Sequence, residues 1–379
     1  MSRVLVITRN LPPLVGGMER LIWHMIDELR HDHEIHVVGP AGCRPSLPAD
    51  VSVTEIPLKP FFWYLLRTMI ASLWCAVRAR PALVLAGSGL TAPFAWLSSR
   101  LVGARSMVYL HGLDIETTHP AYRFAWQPFL RASDRVVVNS SFTRELAFAA
   151  GVRPERSAVL NPGVQLPDMA GAAHQRRLFR ERHGLKYRPV MLYVGRITAR
   201  KGLAPFVQDI LPDILTRHPQ ARLVVIGEEP ARALLRSTGE RARIEASLAR
   251  TGLRSRVLFL GELAHDDPVL DAAYFAADVL VFPVQKRTGD NEGFGMVALE
   301  AAAHGLPTVA FSAGGVSDAV RDGVSGTLVP AGDNAAFALA VAEYLDTKDT
   351  GWSTSCRQFA SGFAWPEFGR QLRQISSPE

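Results

Sequence analysis

The sequence predicts an α/β protein of two doubly wound domains. Three observations carry this: the chain's length, an alternation of short β-branched runs with helical stretches, and the recurrence of that alternation as two series. A chain of 379 residues exceeds one ordinary core and fits two domains of roughly 150–200 residues each. Apolar residues make up 48%, enough to fill two such cores. Strands that alternate with helices build parallel sheets covered on both faces.

The first series runs RVLVIT, EIHVVG, SVTEIP, ALVLAG, SMVYLHG, DRVVVNS and SAVLNPG. Helical stretches separate several of these. The first is MERLIWHMIDELR, where Leu21, Met25 and Leu29 recur at i+4 and so share one face. The second series follows Pro189 and runs VMLYVG, RLVVIG, VLFLG, DVLVFP, PTVAF and GTLVP. Between the two lies QLPDMAGAA, residues 165–173, polar and glycine-containing, and then a charged helix, HQRRLFRERHG. The expected divisions are therefore a first domain at 1–168, a second at 174–350 and a helical segment at 351–379, broken at Pro366.

Charge and cysteine usage narrow the partners. A net charge of +6 suits an acidic small molecule, an anionic lipid surface or nucleic acid. No Lys/Arg run, zinc-finger spacing or aromatic RNA-binding signature supports nucleic acid. Cys43, Cys75 and Cys356 are odd in number and far apart, which argues against a disulfide framework or a cysteine metal site and fits a reducing cytosol. No other metal-ligand cluster stands out, so no metal or cofactor is expected. The N-terminal MSRVLVIT is far shorter in its apolar run than a signal-peptide core. The longest apolar stretch, FFWYLLRTMIASLWCAV at 61–77, is interrupted by Arg67 and is too short to span a bilayer comfortably. Around it, Lys59, Arg67, Arg78 and Arg80 flank Phe61, Phe62, Trp63 and Trp74, a composition suited to peripheral contact with an anionic membrane. An ordinary helix buried against the first sheet is the equal alternative.

Ligands of open parallel sheets bind beyond the carboxyl ends of the strands, so the informative residues follow strands, and the cleft between two such domains is the expected site. After RVLVIT comes NLPPLVGGMER, where Gly16 and Gly17 open a helix whose free N–H groups attract anions; a plain glycine turn is the alternative. After VMLYVG comes RITARKG, with Arg196 and Lys201 five residues apart, suited to a pyrophosphate or else a solvated basic loop. After DVLVFP comes VQKRTGDNEGFG and an apolar helix. Beyond Glu292, Glu300 is the only charged residue before Asp318. A lone carboxylate there is costly unless paired. Either a buried Arg or His pairs with Glu300, or a ligand does; carboxylates accept and vicinal hydroxyls donate, so the two suit a sugar and a ribose. SMVYLHG ends in His111, with Asp114 three residues on. That histidine either contacts substrate or moves a proton, or is structural. AGSGLTAP at 86–93 matches a dinucleotide pattern, but on about the fourth strand and without an acidic residue about 20 positions on, so a nicotinamide cofactor is rejected.

Together these residues resemble the family-4 glycosyltransferases, retaining enzymes of the GT-B fold, over nearly the whole chain. The most specific element is the E-x7-E signature, Glu292 and Glu300 in EGFGMVALE. VGRITARKG is similar to the family's donor-phosphate segment, and the glycine pair, His111, Asn139 and Ser140 in VVVNSSFT, and LNPGV at 160–164 also have counterparts. The resemblance implies two Rossmann-like domains facing across a cleft, hinge closure around the donor, and C-terminal helices that cross back to the first domain. It implies that Arg196 and Lys201 hold the donor diphosphate, Glu292 the sugar hydroxyls and Glu300 the ribose. Gly293, Phe294 and Gly295 would complete the donor site, Gly16 and Gly17 would bring backbone amides to the phosphate or acceptor, and His111 would lie near the donor sugar and the attacking hydroxyl. Front-face attack without a metal is the family's usual description. RTGDNEGFGMVALEAAAHGLP looks most like bacterial mannosyltransferases acting on lipid-linked or polysaccharide acceptors. That implies GDP-mannose, with GDP-rhamnose or a UDP-sugar as alternatives, and work in lipopolysaccharide or exopolysaccharide synthesis in the cytoplasm, at the inner face of the membrane. A nucleotide-sugar epimerase of the same fold fits E-x7-E and RITARKG poorly. A non-catalytic binding protein would be free to lose Arg196, Lys201, Glu292 and Glu300, and all four are present.

Overall fold

In β1 (Ser2–Ile7) Val4 and Val6 point to one face of a sheet, Leu5 and Ile7 to the other, and all four are buried. In β8 (Val190–Val194) Val190, Leu192 and Val194 pack on one side, Met191 and Tyr193 on the other. Side chains alternate across a strand, so a strand apolar on both faces needs a cover on both faces. Each such side chain contributes about 1.5–3 kcal/mol by leaving water.

The computed structural model describes residues 2–117, 120–230, 239–347 and 351–377. Its contacts divide into two compact units, Met1–Gly163 with Trp365–Glu379, and Val164–Ala364. The first holds β1, β2 (His33–Pro40), β3 (Ser52–Ile56), β4 (Leu83–Ala86), β5 (Arg105–Leu110), β6 (Arg135–Val138) and β7 (Ser157–Val159), a seven-stranded sheet in the order β3-β2-β1-β4-β5-β6-β7. The second holds β8, β9 (Arg222–Ile226), β10 (Val257–Gly261), β11 (Val279–Phe282), β12 (Thr308–Ser312) and β13 (Gly326–Pro330), six-stranded in the order β10-β9-β8-β11-β12-β13. All pairings are parallel. Every run of the two series is a strand. The winding reverses between β1 and β4 in one sheet and between β8 and β11 in the other, and such reversals are where open α/β sheets place ligands.

The units divide at 163/164 and 364/365 rather than at 168, 174 and 350. Val164 donates its N–H to Phe363 O at 2.8 Å and pairs with Ala364, which draws the 165–173 stretch into the second unit. The helix Gly351–Ser361 packs on Met296–Ala303 within that unit, while Trp365–Ser376 lies on Gly17–Arg30 in the first. There Arg373 Nη1 reaches Glu28 Oε2 at 3.1 Å, and the Trp365 ring stacks on His24 at 3.7 Å. Residues 348–350, 378 and 379 of the expected segments lie outside the described residues. Pro366 is the second residue of its helix, where its missing N–H removes no bond.

The helix Phe61–Ala79 buries one face and exposes the other. Tyr64, Thr68, Ser72, Cys75 and Ala76 are buried. Trp63, Ile70, Trp74 and Val77 are 50–57% exposed and fall on one stripe at helical spacing. The Arg78 guanidinium lies 5.5 Å over the Trp74 ring. Among the described residues no helix is long and apolar enough to cross a membrane.

Candidate active site

At the switch point of the second sheet, the loops after β8 and β11 are locked together. After β8, a single 3-10 turn (Ala199–Lys201) ends at Gly202, with φ +73°. A Cβ there would lie 1.8 Å from the carbonyl oxygen of Pro283, just beyond β11, so only glycine lets the two backbones meet. Gln285 N donates to Arg200 O at 2.8 Å, and Arg200 Nη1 donates to Asn291 O at 2.9 Å. The turn thereby aims Lys201 inward. Lys201 Nζ lies 2.9 Å from Glu292 Oε2, and Arg200 stands 3.6 Å from that oxygen and 3.3 Å from Asp290 Oδ1. The side chains of Lys201, Arg200 and Glu292 are each nearly nine-tenths buried, while Arg196 is exposed.

Burial lowers the Lys201 ammonium below its ordinary value, and the opposing pull of Glu292 does not cancel it. Burial pushes the Glu292 carboxyl up, but Lys201, Arg200 and Arg196 together overturn this and hold it below its ordinary value. Three cations thus converge on one buried carboxylate. Glu292 is anchored from behind, where its carbonyl accepts from Gly315 N at 2.8 Å, and a Cβ on Gly314 (φ +59°) would lie 2.3 Å from that oxygen.

Glu300 lies a turn and a half into the helix Met296–Ala303 and is 7% exposed. Two side chains approach its carboxylate. Tyr274 donates its hydroxyl to Glu300 Oε2 at 2.9 Å, and His265 Nδ1 stands 3.9 Å from Oε1. Gly295 caps that helix at φ +105°. Phe294 turns its ring into the core at 2% exposure, which leaves only its backbone to face a ligand, as Gly293 does.

Gly16, Gly17 and His111 belong to the first unit. Gly16 precedes the helix Gly17–Arg30 beyond β1, and a Cβ on it would meet Glu19 Oε2 at 2.6 Å. Glu19 is buried and accepts from Asn10 Nδ2 at 3.0 Å. This helix N-terminus therefore already carries a carboxylate, which opposes an anion there. His111 follows β5 directly and is buried, with Nε2 2.9 Å from Gly87 O. A carbonyl only accepts, so Nε2 carries the proton and Nδ1 is left to accept in the neutral ring. Asp114 Oδ2 accepts from His111 N at 3.1 Å, and Asn139 Nδ2 donates to His111 O at 3.1 Å. The glycines of AGSGLTAP have packing reasons: a Cβ on Gly87 would strike Thr8 and one on Gly89 would strike Tyr122.

Residues 15–167 match the family described as "Glycosyltransferase Family 4", and residues 188–347 match "Glycosyl transferases group 1". The chain is 30% identical over 387 residues to a GDP-mannose-dependent alpha-(1-6)-phosphatidylinositol monomannoside mannosyltransferase of Mycolicibacterium smegmatis, covering 99% of this chain and 98% of that one. The chain belongs to glycosyltransferase family 4. It is a glycosyltransferase that uses a nucleotide sugar. A D-inositol 3-phosphate glycosyltransferase of Thermobispora bispora is 34% identical over 257 residues, 64% of this chain and 55% of that one. Among solved structures, Anabaena HepE in complex with UDP and glucose superposes with a TM-score of 0.78 at 19% identity over 100% of both chains, which establishes the GT-B fold.

For a family-4 glycosyltransferase the cluster is chemically legible. Arg196, Arg200 and Lys201 provide positive charge at a strand end, Glu292 a buried acceptor among them, and Glu300 a second acceptor. Sequence reasoning missed Arg200, although it stands between the two cations it singled out, and it missed Tyr274 entirely. Size alone does not mark the site. A cavity of about 1040 Å³ opens at the opposite, amino edge of the second sheet beside Pro189, Asp278 and Pro307. Its Arg176 and Arg180 are occupied by Asp278 and by backbone carbonyls. A smaller one, about 560 Å³, is lined by Gln208, Arg243, Lys286 and Arg287 beside the loops of the site.

Proposed function

We propose that this glycosyltransferase is a retaining mannosyltransferase that moves mannose from GDP-mannose to a hydroxyl of a lipid-linked glycan. The observation that carries the reading is the convergence of Lys201, Arg200 and Arg196 on Glu292 at the switch point. In the free protein Glu292 holds Lys201; when the donor arrives, its diphosphate takes up the cations and the carboxylate is released to the sugar hydroxyls. Negative charge develops on the departing GDP, and a preorganised donor aimed at such charge is worth about 2.7–4 kcal/mol. Glu300 accepts from the ribose hydroxyls. The three cations are placed to neutralise the diphosphate without a metal. Gly16 and Gly17, with Glu19 beside them, serve the acceptor side better than a phosphate, and His111 offers Nδ1 to the sugar or the attacking hydroxyl. The mannosyl and GDP assignments draw on the full-length mannosyltransferase relative.

The acceptor reading draws on the helix Phe61–Ala79, whose outer stripe is aromatic, whose flanks carry Lys59, Arg67, Arg78 and Arg80, and which contains no acid. Such a face suits the anionic surface where a lipid-linked acceptor lies, and supports the reading of an enzyme peripheral at the inner face of the cytoplasmic membrane.

A thermal-shift panel with GDP, UDP, ADP and dTDP, with and without magnesium, tests the donor. A ligand of the folded state stabilises by about 2.7 kcal/mol at a hundredfold excess over Kd. A selective GDP shift that does not need magnesium is expected; a UDP shift would sink the mannosyl reading, and dependence on magnesium would sink the metal-free one. Co-sedimentation with anionic vesicles tests the surface. Wild type should sediment and Trp63→Ala should sediment less; failure of wild type to bind removes the membrane part.

A further inference from the structure

We propose that Tyr274 sets the ribose selectivity of the nucleotide site by holding the Glu300 carboxylate in one orientation. The inference rests on the reading of Glu300 as the ribose-binding group. Tyr274 stands on the helix Pro268–Ala276, is 2% exposed, and donates its hydroxyl to Glu300 Oε2 at 2.9 Å. The terminal torsion of a glutamate is broad and roughly two-fold, so a carboxylate without a fixed donor turns its plane freely. A donor on Oε2 fixes that plane and turns Oε1 the other way, toward His265, whose side chain is half exposed. Two vicinal hydroxyls are recognised together only by an acceptor whose plane is set beforehand, which is preorganisation in its simplest form.

The tyrosine is itself held. Its ring stacks on His304 at 4.7 Å and 27°, and His304 meets Phe275 edge-on at 4.8 Å. His304 is clamped through Nδ1 to Glu300 O at 2.8 Å and through Nε2 to Asp271 Oδ1 at 3.1 Å. One carboxylate is thus fixed twice: its backbone by His304, its side chain by the ring that His304 supports. A phenylalanine would fill the same space; what the tyrosine adds is a donor on the carboxylate. Tyr274 is a positioning residue, with Asp271 and His304 behind it.

The test compares GDP with 2′,3′-dideoxy-GDP by titration calorimetry on wild type, Tyr274→Phe and Glu300→Gln. Wild type should prefer GDP by roughly tenfold, the scale of one charge-assisted hydrogen bond. Tyr274→Phe should narrow that preference to about two- or threefold while leaving the dideoxy affinity unchanged. Glu300→Gln should narrow it too. A Tyr274→Phe protein that binds both nucleotides more weakly but keeps the wild-type ratio overturns the inference and leaves the Glu300 reading standing. A wild type indifferent to the missing hydroxyls overturns the Glu300 reading itself. If the donor panel selects UDP, the uridine pair replaces the guanosine pair. Should Tyr274→Phe fail to fold, Asp271→Asn decides, since Asp271 is half exposed and acts through His304: a smaller narrowing is expected, and an unchanged ratio overturns the proposal.

Discussion

Lys201 and Glu292 each lose most of their hydration on folding; Glu292 is held charged by Lys201 and the arginines, whereas Lys201 has Glu292 alone against burial and the neighbouring arginines. Removing one partner strands the other. Breaking a buried pair typically costs about 3–5 kcal/mol; Lys201→Met should fall near the lower figure, because Arg200 remains 3.6 Å from the carboxylate. Urea unfolding of Lys201→Met, Glu292→Gln and the double variant should show a double loss well short of the sum, as expected for groups in contact. The transfer rate of Lys201→Met should fall on the order of 10²–10³. The pH dependence follows from the direction of the Glu292 shift. A carboxyl lowered in the fold stabilises fully above its unfolded value of 4.5 and loses that contribution as pH falls through the lower folded value. Melting curves taken downward from pH 7 should show a loss below about pH 4.5 in wild type that Glu292→Gln lacks. Equal acid sensitivity of the two would mean that the carboxylate is not held charged in the fold. The pair was half legible in the sequence: RITARKG and the E-x7-E spacing mark its members, whereas which of Arg196, Arg200 and Lys201 folds inward is decided by one 3-10 turn.

That turn depends on Gly202, and two glycines with nearly the same backbone separate conformation from contact. Gly202 has φ +73° with Pro283 O 1.8 Å from a Cβ; Gly323 has φ +70° with nothing within 4 Å. Gly323→Ala meets only the left-handed penalty, about 1–2 kcal/mol. Gly202→Ala adds a clash between two backbones, neither of which can rotate away, so it should destabilise by more than about 3 kcal/mol or release the β11 loop and with it activity. Urea curves and kcat for both variants decide. Similar losses in the two would mean that the contact does not hold Lys201. At this scale the sequence was most informative about strands, since runs apolar on both faces, such as VMLYV and DVLVF, have few other homes. It was least informative about long-range closures. The 165–173 stretch reads as a linker by composition, yet the bond from Val164 to Phe363 joins residues about two hundred apart, and no local pattern encodes it. Tyr274 is 26 positions from the carboxylate it touches, on a helix that reads as ordinary core.

Each unit has its own sheet and its own core on both faces of that sheet, so a ligand need not stabilise both alike. Arg196, Arg200, Lys201, Glu292 and Glu300 all belong to Val164–Ala364, and on the proposed reading GDP finds its diphosphate and ribose partners there. Amide hydrogen exchange resolves such local stabilisation along the chain. GDP alone should slow exchange at 195–203 and 290–301 by up to about a hundredfold at a hundredfold excess over Kd, while 14–20 and 111–114 stay near their free rates. On the proposed reading, in which His111 Nδ1 accepts from the sugar, GDP-mannose should extend the effect to 111–114. The contrast between the two ligands separates nucleotide recognition from sugar recognition in one protein without a substitution. Protection by GDP confined to 14–20 would move the diphosphate to the helix that Glu19 now guards, and would overturn the assignment of the cations at the end of β8.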